Sequence, residues 1–151
     1  MAGMTVVVPD ASVVLKWVLQ RDDETDSATA LRLLDEYLAE RVLIRLPSLW
    51  RYEVGNILGL KRPDIAGEAM EALLGYEFPE EALDRAYCLA VLDFMKDMAG
   101  VSFYDASYHV LAIRAGGVYV TADEAYVERA GRRRHVVRLA DWPTARRRPR
   151  S

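Results

Sequence analysis

Short apolar runs alternate along this chain with longer amphipathic stretches, and this alternation limits the possible folds more than any other feature. Runs of this length predict strands, and the longer stretches predict helices between them. The strands are expected near Thr5–Pro9, Leu43–Leu46, Gly117–Thr121 and His135–Arg138, with a weaker candidate at Tyr76–Phe78. Strands that alternate with helices are typical of βα units, so we expect an α/β fold with a mainly parallel central sheet.

Proline and glycine residues set several of the predicted helix ends. Pro63 stops one helix, because proline cannot continue a helix and its predecessor avoids the α region. Gly100 and the pair Gly116-Gly117 end two others. The helices are expected at Ser12–Leu19, Thr25–Arg41, Ser48–Leu60, Asp64–Leu74, Pro79–Met98 and Ser102–Gly116.

The composition predicts one globular domain in a reducing compartment. A chain of 151 residues with 52% hydrophobic content is long enough for one sizeable core and too short for two ordinary domains. Cys88 is the only cysteine, so it forms no internal disulfide and is expected as a small buried side chain. No basic flank precedes the first apolar run, and no segment approaches the roughly 18 apolar residues of a membrane span. We expect a cytoplasmic protein without membrane insertion.

The charge distribution is uneven. A net charge of −3 argues against binding nucleic acid by bulk attraction alone. Basic residues are concentrated late, at Arg132–Arg134, Arg138, Arg146–Arg148 and Arg150. Such an end could steer a polyanion, but a solvated, disordered tail is the favoured interpretation. We therefore expect a single domain over residues 1–141 and a basic tail over residues 142–151.

Two carboxylates directly follow predicted strands. Asp10 ends the run Val6–Pro9, and Asp123 follows the run that ends at Thr121. In an open α/β sheet, ligands bind outside the carboxyl ends of the strands, so both acids are expected beside one pocket.

Two further acids are expected on helices. Glu53 lies on the predicted buried stripe of its helix, and its i+3 and i+4 positions hold Asn56 and Ile57 rather than a basic residue. A buried carboxylate is costly unless something positive compensates it. Asp105 is expected in the first turn of its helix, where the helix dipole favours a negative charge.

A divalent cation would relieve the repulsion among these acids. Two carboxylates about 4 Å apart repel by roughly 4 kcal/mol at an effective dielectric near 20. Mg²⁺ and Mn²⁺ prefer oxygen ligands, which suits a site without a cysteine or histidine cluster. The competing interpretation is that the aspartates are helix caps, since Ser102-x-x-Asp105 and Thr121-x-x-Glu124 resemble capping boxes. Capping does not account for Glu53.

Other polar and aromatic residues are expected to be structural. His109 shares a helix face with Asp105, which suggests a fifth ligand or a base, but a buried histidine with a structural partner is favoured. His135 shows no companion, and Trp142 is expected at an exposed interface. Core packing is predicted for a set of aromatic residues at helical spacing: Trp17, Trp50, Tyr87 and Tyr104.

Two other acidic α/β classes lack their required residues. A haloacid-dehalogenase-like phosphatase needs Asp-x-Asp after its first strand, and Ser12 stands in the second position. A response receiver needs a lysine at the end of its last strand, and the lysines are Lys16, Lys61 and Lys96. Neither chemistry is expected here.

The order and spacing of four segments resemble the PIN domain, a family of metal-dependent ribonucleases, and especially its VapC-type toxins. The matching segments are Asp10-Ala11-Ser12, Glu53–Leu58, Tyr104-Asp105-Ala106 and Thr121-Ala122-Asp123. The resemblance implies a three-layer α/β/α fold in which the four acids bind Mg²⁺ or Mn²⁺ and catalyse RNA hydrolysis. It further implies that Ser12 and Thr121 support the metal shell and that Asn56 supports Glu53.

The resemblance also implies partners. VapC-type toxins cut translation-related RNAs and are silenced by a cognate VapB-like antitoxin. A homodimer is expected because apolar positions such as Met70, Leu73 and Leu74 exceed what a small sheet covers. The alternatives are a housekeeping PIN nuclease and a catalytically silent PIN-like binding module.

Overall fold

A computed structural model describes residues 3–19 and 26–142 of the chain. Its strands are β1 (Val6–Pro9), β2 (Leu43–Ile44), β3 (Leu46–Pro47), β4 (Glu80–Glu81), β5 (Val118–Thr121) and β6 (Val136–Arg138). The central sheet has the order β2-β1-β5-β6 with every pair parallel, and β3 pairs with β4 in a small second sheet. Helices flank the central sheet in three layers, so the predicted α/β/α fold is confirmed.

Seven helices lie between the described strands. They are α1 (Ala11–Lys16), α2 (Ser27–Leu38), α3 (Trp50–Lys61), α4 (Ala66–Gly75), α5 (Arg85–Lys96), α6 (Phe103–Ala115) and α7 (Glu124–Ala130), and a short 3-10 turn covers Leu139–Asp141. Side chains cap the helices α1, α5, α6 and α7: Asp10, Asp84, Ser102 and Asp123 each accept a backbone N–H of the first turn. Gly116 ends α6 in the left-handed region at φ +66°.

The two strands that carry acids are neighbours at the centre of the sheet. β1 and β5 pair in register, with Val7 opposite Val118 and Pro9 opposite Val120. The register is continued beyond the strand end, because the Asp10 N–H donates to the Val120 carbonyl at 3.2 Å. At the other end, a Cβ on Gly117 would lie 2.2 Å from the Val6 carbonyl oxygen, so only glycine fits there.

Several predicted boundaries differ from the structure between Tyr76 and Arg85. Tyr76–Phe78 is not a strand; Phe78 packs its ring against Trp17, Tyr37, Trp50 and Tyr76, and β4 follows it. The helix predicted from Pro79 begins only at Arg85, because the Asp84 side chain accepts the Tyr87 N–H and fixes the start there. Glu80–Glu81 pairs with β3, and this tertiary contact outweighs the helical pattern that was predicted from Pro79.

Two aromatic predictions are wrong. Trp142 is 2% exposed, and its indole N–H donates to Glu36 Oε1 at 3.1 Å, so it belongs to the folded domain. Tyr104 is 49% exposed rather than packed in the core, whereas Trp17, Trp50 and Tyr87 are buried as expected. Cys88 is only partly buried.

Some predictions fall on residues that the structure does not describe. They are the start of the Thr25–Arg41 helix and the basic positions Arg146–Arg148 and Arg150. Among residues 3–19 and 26–142, no helix combines the length and apolar character that crossing a membrane requires.

Candidate functional site

Asp10 is a buried carboxylate held by hydrogen bonds at the end of β1. Within the described part of the chain, its Oδ1 accepts from the Ser12 N–H at 3.0 Å, the Ser12 hydroxyl and the Val13 N–H at 3.3 Å. Its Oδ2 accepts from the Tyr119 hydroxyl at 2.9 Å and the Thr121 hydroxyl at 2.6 Å. Burial raises the pKa of Asp10, and these hydrogen bonds oppose the rise.

Asp123 follows β5 and caps α7. Its N–H donates to Thr121 Oγ1 at 3.0 Å, and its Oδ1 accepts the Tyr126 N–H at 3.1 Å. The neighbouring Ala122 N–H donates to Ser12 Oγ at 3.2 Å. Ser12 therefore joins the turn after β1 to the turn after β5. The parallel pairing of these two central strands brings Asp10 and Asp123 to the same end of the sheet, at the carboxyl ends of the strands, as predicted.

Glu53 lies in the first turn of α3 and is half-buried. Its Oε1 accepts the Tyr108 hydroxyl at 2.8 Å. Burial raises the pKa of Glu53 to about 6; the Tyr108 hydrogen bond opposes this rise, and the charges of Asp105 and Asp10 add to it. Glu53 faces inward, as its position on the predicted stripe of Trp50, Val54, Ile57 and Leu58 indicated, although Ile57 is only partly buried.

Asp105 is in the first turn of α6, where its N–H donates to Ser102 Oγ at 3.0 Å. Burial and, to a smaller extent, the charges of Asp10 and Asp123 raise its pKa to about 6. Arg129 lowers this pKa, and its effect is the smallest of those acting on Asp105. The charges of the four acids are thus coupled: Asp10 and Asp123 raise the pKa of Asp105, and Asp105 and Asp10 raise that of Glu53.

Of the accessory residues, Ser12 and Thr121 donate hydrogen bonds to Asp10, whereas in the described part of the chain no hydrogen bond joins Asn56 to Glu53. The hydroxyls of Ser12 and Thr121 both donate to Asp10. Asn56 is exposed, and in the described residues the hydrogen bond to Glu53 comes from Tyr108 instead. Helix α3 places Asn56 nearly one turn beyond Glu53 on a more solvent-facing side.

The histidines have structural contacts. His109 is fully buried, its Nδ1 lies 2.6 Å from the Tyr126 hydroxyl, and its Nε2 lies 2.9 Å from the Arg134 carbonyl. Because that carbonyl can only accept, Nε2 carries the proton and Nδ1 accepts from Tyr126. The prediction that His135 has no companion is wrong, since its Nδ1 donates to the Gly117 carbonyl at 2.7 Å.

The donor chemistry of the acidic pocket suits a hard divalent cation. All four acids offer carboxylate oxygens, and neutral hydroxyls rather than lysine or arginine hold Asp10 and Glu53. Across residues 3–19 and 26–142, however, no three His, Cys, Asp or Glu side chains stand in an arrangement that could hold an ion directly.

Sequence reasoning missed two tyrosines that contact the acids. Tyr108 lies one turn after Asp105, and Tyr119 lies two residues before Thr121 on the same face of β5. The alternation of side chains along a strand could have indicated Tyr119, because it shares the face of Thr121. A helical spacing of three could have indicated Tyr108 beside Asp105.

Comparison with known proteins identifies the family. The chain belongs to the PIN domain family, whose model matches residues 7–132. PIN domains are usually metal-dependent nucleases. No curated protein sequence matches the chain.

Two solved structures share the fold. The crystal structure of PAE2754 from Pyrobaculum aerophilum is 22% identical, has a TM-score of 0.63, and covers 91% of this chain and 85% of its own. That of VapC20 from Mycobacterium tuberculosis, a sarcin–ricin loop cleaving toxin, is 13% identical, has a TM-score of 0.59, and covers 80% of this chain and 94% of its own. At these identities the likeness concerns the fold alone.

Proposed function

We propose that this chain is a metal-dependent endoribonuclease whose site is formed by Asp10, Glu53, Asp105 and Asp123. The observation that carries the proposal is that Glu53 and Asp105 are half-buried within electrostatic reach of the other acids: burial first, and then the charges of the neighbouring acids, raise the pKa of each to about 6. In the described part of the chain, no lysine or arginine forms a salt bridge with any of the four. Uncompensated carboxylates in one pocket are a common feature of functional sites.

Mg²⁺ or Mn²⁺ is the proposed cofactor, and the four acids are its proposed ligands. When bound, such an ion polarises a phosphoryl oxygen and makes a nucleophile from water at neutral pH. A carboxylate has about four lone-pair sites, and Asp10 already accepts from three donors on Oδ1 and two on Oδ2 within the described residues. Asp10 must therefore release at least two donors in order to bind an ion, and the hydroxyls of Ser12 and Thr121 can rotate away.

The proposed biological role is that of a toxin in the cytoplasm, paired with a VapB-like antitoxin. Membership of the PIN family and the shared fold with VapC20 support this role. An antitoxin could lay an amphipathic helix in a groove near α3 and extend an arginine or lysine to the acids, since the pocket is negative. We further propose a homodimer. Of the apolar residues behind that prediction, Leu73 is buried and Met70 is partly buried, so the exposed Leu74, with the exposed Leu60, would contribute to the interface.

The experiment that tests the nuclease proposal is cleavage of defined RNAs by the purified protein. Cleavage should need Mg²⁺ or Mn²⁺, stop in excess EDTA, and resume when the metal is restored. Activity that persists in EDTA would exclude the proposed site. Failure to cleave any RNA, with metal bound, would favour a catalytically silent binding module.

The toxin role needs a separate test in cells. Expression of the chain should arrest growth, the Asp105→Asn variant should not, and co-expression of an adjacent antitoxin gene should restore growth. Harmless expression of a protein that cleaves RNA when purified would instead indicate a housekeeping PIN nuclease. Light scattering that gives about 17 kDa at every dilution would contradict the homodimer.

A further inference from the structure

Two buried tyrosine rings lie between the acids. Tyr108 and Tyr119 are fully buried and stack with ring centroids 6.1 Å apart and an angle of 16° between the ring planes. Their hydroxyls reach different acids: Tyr108 donates to Glu53 at 2.8 Å, and Tyr119 donates to Asp10 at 2.9 Å. One stacked pair therefore connects a helix-borne acid to a strand-borne acid.

These contacts join elements that the chain keeps far apart. Tyr108 on α6 reaches Glu53 on α3, and the two residues are 55 positions apart. Tyr119 on β5 reaches Asp10 after β1, across 109 positions. The Tyr108 hydroxyl thus fixes Glu53 of α3 relative to α6, which carries Asp105. The Tyr119 hydroxyl fixes Asp10 relative to β5, which ends two residues before Asp123.

The chemical nature of the donors matters as much as their position. A phenol gives a carboxylate a short, charge-assisted hydrogen bond but brings no positive charge of its own. Lysine or arginine in the same place would cancel the negative charge that a divalent cation requires. Neutral donors can orient Glu53 and Asp10 and still leave the pocket electrostatically ready for an ion.

We propose that Tyr108 and Tyr119 are positioning residues, whose hydroxyls hold Glu53 and Asp10 in orientations suited to a divalent cation without neutralising either carboxylate. This inference rests on the proposed metal-dependent function. It assigns the two rings a role beyond core packing, which any aromatic residue of the same shape could supply.

A matched set of hydroxyl deletions tests the inference. Tyr108→Phe and Tyr119→Phe remove one oxygen each and keep both rings. Tyr87→Phe is the control, because Tyr87 is also buried and donates at 2.6 Å to a backbone carbonyl, that of Ser107, rather than to an acid. Mn²⁺ affinity is measured by calorimetry on metal-free protein, and melting temperature is measured in EDTA.

Tyr108→Phe and Tyr119→Phe should each weaken Mn²⁺ binding about 10-fold or more, as is typical when a partner of a metal ligand is removed. Tyr87→Phe should melt at a lower temperature and bind Mn²⁺ as the wild type does. In a Glu53→Gln background, Tyr108→Phe should have no additional effect on Mn²⁺ affinity, because Tyr108 acts through Glu53.

The failures are distinguishable. Wild-type Mn²⁺ affinity in both phenylalanine variants, with lowered melting temperatures, would overturn the inference and leave the nuclease proposal standing. A wild-type protein that binds no Mn²⁺ and cleaves no RNA would instead overturn the proposed function. If either variant does not fold, ¹³C-tyrosine NMR of the wild type decides: Mg²⁺ should shift the ring Cζ signals of Tyr108 and Tyr119 and not that of Tyr87, and unchanged signals would refute the inference.

Discussion

The acidic pocket has two halves that are held in different ways. The strand-borne half is Asp10 and Asp123, which follow β1 and β5, and the helix-borne half is Glu53 and Asp105, which lie on α3 and α6. In the described residues Asp10 accepts five hydrogen bonds, and Asp123 is bonded to the backbone of the helix that it caps. Glu53 accepts only the Tyr108 hydroxyl there, and Asp105 and Glu53 both have a pKa of about 6. The strand-borne acids are held by several hydrogen-bond donors of the protein, although burial still leaves the pKa of Asp10 raised, whereas the helix-borne acids have few such donors.

This difference separates the function of an acid from its effect on folding. Removing a charge from either half should abolish the proposed reaction, because both halves are needed for the ion. The same substitutions should change stability in opposite directions. The strand-borne half is stabilised by its hydrogen-bond acceptors, whereas the helix-borne half is destabilised by repulsion between charges.

The largest expected effect is on catalysis. Asp10→Asn and Asp105→Asn should each reduce metal-dependent RNA cleavage by roughly 100-fold or more, since each removes a charged ligand. Single-turnover cleavage of a labelled RNA measures this, with circular dichroism as the check on folding. Full activity in either variant would show that the half to which it belongs is not part of the site.

The next effect concerns stability without metal. Asp10→Asn should destabilise the protein by about 1–3 kcal/mol, because an amide nitrogen replaces an acceptor among buried donors. Asp105→Asn should raise the melting temperature in EDTA at pH 7.5, because it removes a charge that Asp10 and Asp123 repel. Denaturant unfolding in EDTA compares them. A shift of the same sign in both variants would remove the distinction between the halves.

A third effect is the pH dependence of the helix-borne half. The pKa values of Glu53 and Asp105 rise on folding to about 6, from 4.5 and 3.8, so the folded state holds these protons more tightly than the unfolded state. Their stabilising contribution is therefore complete below about pH 4 and is lost as the pH rises through about 6. In EDTA, the melting temperature of the wild type should fall relative to that of Glu53→Gln/Asp105→Asn as the pH rises from 5 to 7.5. Added Mg²⁺ should offset that fall.

His109 makes the comparison with the double variant necessary. Burial lowers the pKa of His109, so its contribution is present above about pH 6.5 and is lost as the pH falls. This opposite trend is common to both proteins and cancels in their difference. If the difference in melting temperature between the wild type and the double variant does not change with pH, Glu53 and Asp105 are solvated as in the unfolded chain.

The smallest expected effect is at Asn56. Its side chain is exposed and, among the described residues, no hydrogen bond joins it to Glu53, so Asn56→Ala should change cleavage by less than about twofold and stability by less than about 0.5 kcal/mol. The same cleavage and unfolding assays measure both. A large loss of activity would give Asn56 a role in binding substrate or partner that its position in the folded chain does not explain.

The sequence predicted the strand-borne half better than the helix-borne half, for a physical reason. Asp10 and Asp123 follow runs whose pairing places them together, and parallel strands leave little choice about where their ends lie. The inward position of Glu53 was readable from helical periodicity, but its partner Tyr108 comes from another helix. Contacts of that kind depend on how helices pack, which one element's pattern does not specify.

Other errors have similar causes. Glu80–Glu81 has poor strand propensity, and it forms β4 only because Leu46–Pro47 lies beside it. Trp142 was assigned to the tail because arginines follow it, but Glu36 on α2 supplies a partner for its indole N–H. In each case a residue distant in sequence decided the outcome.

Gly117 has a consequence for any genetic screen on this protein. It has no side chain, and it lies immediately before β5, whereas Asp123 follows the strand's end. Yet any larger residue there would meet the Val6 carbonyl and push apart the two short strands that bring Asp10 and Asp123 together. A selection for inactive clones should therefore recover substitutions of Gly117 as well as substitutions of the acids. Without the structure, Gly117 would be mistaken for a catalytic residue, although its role is to let β1 and β5 pair closely.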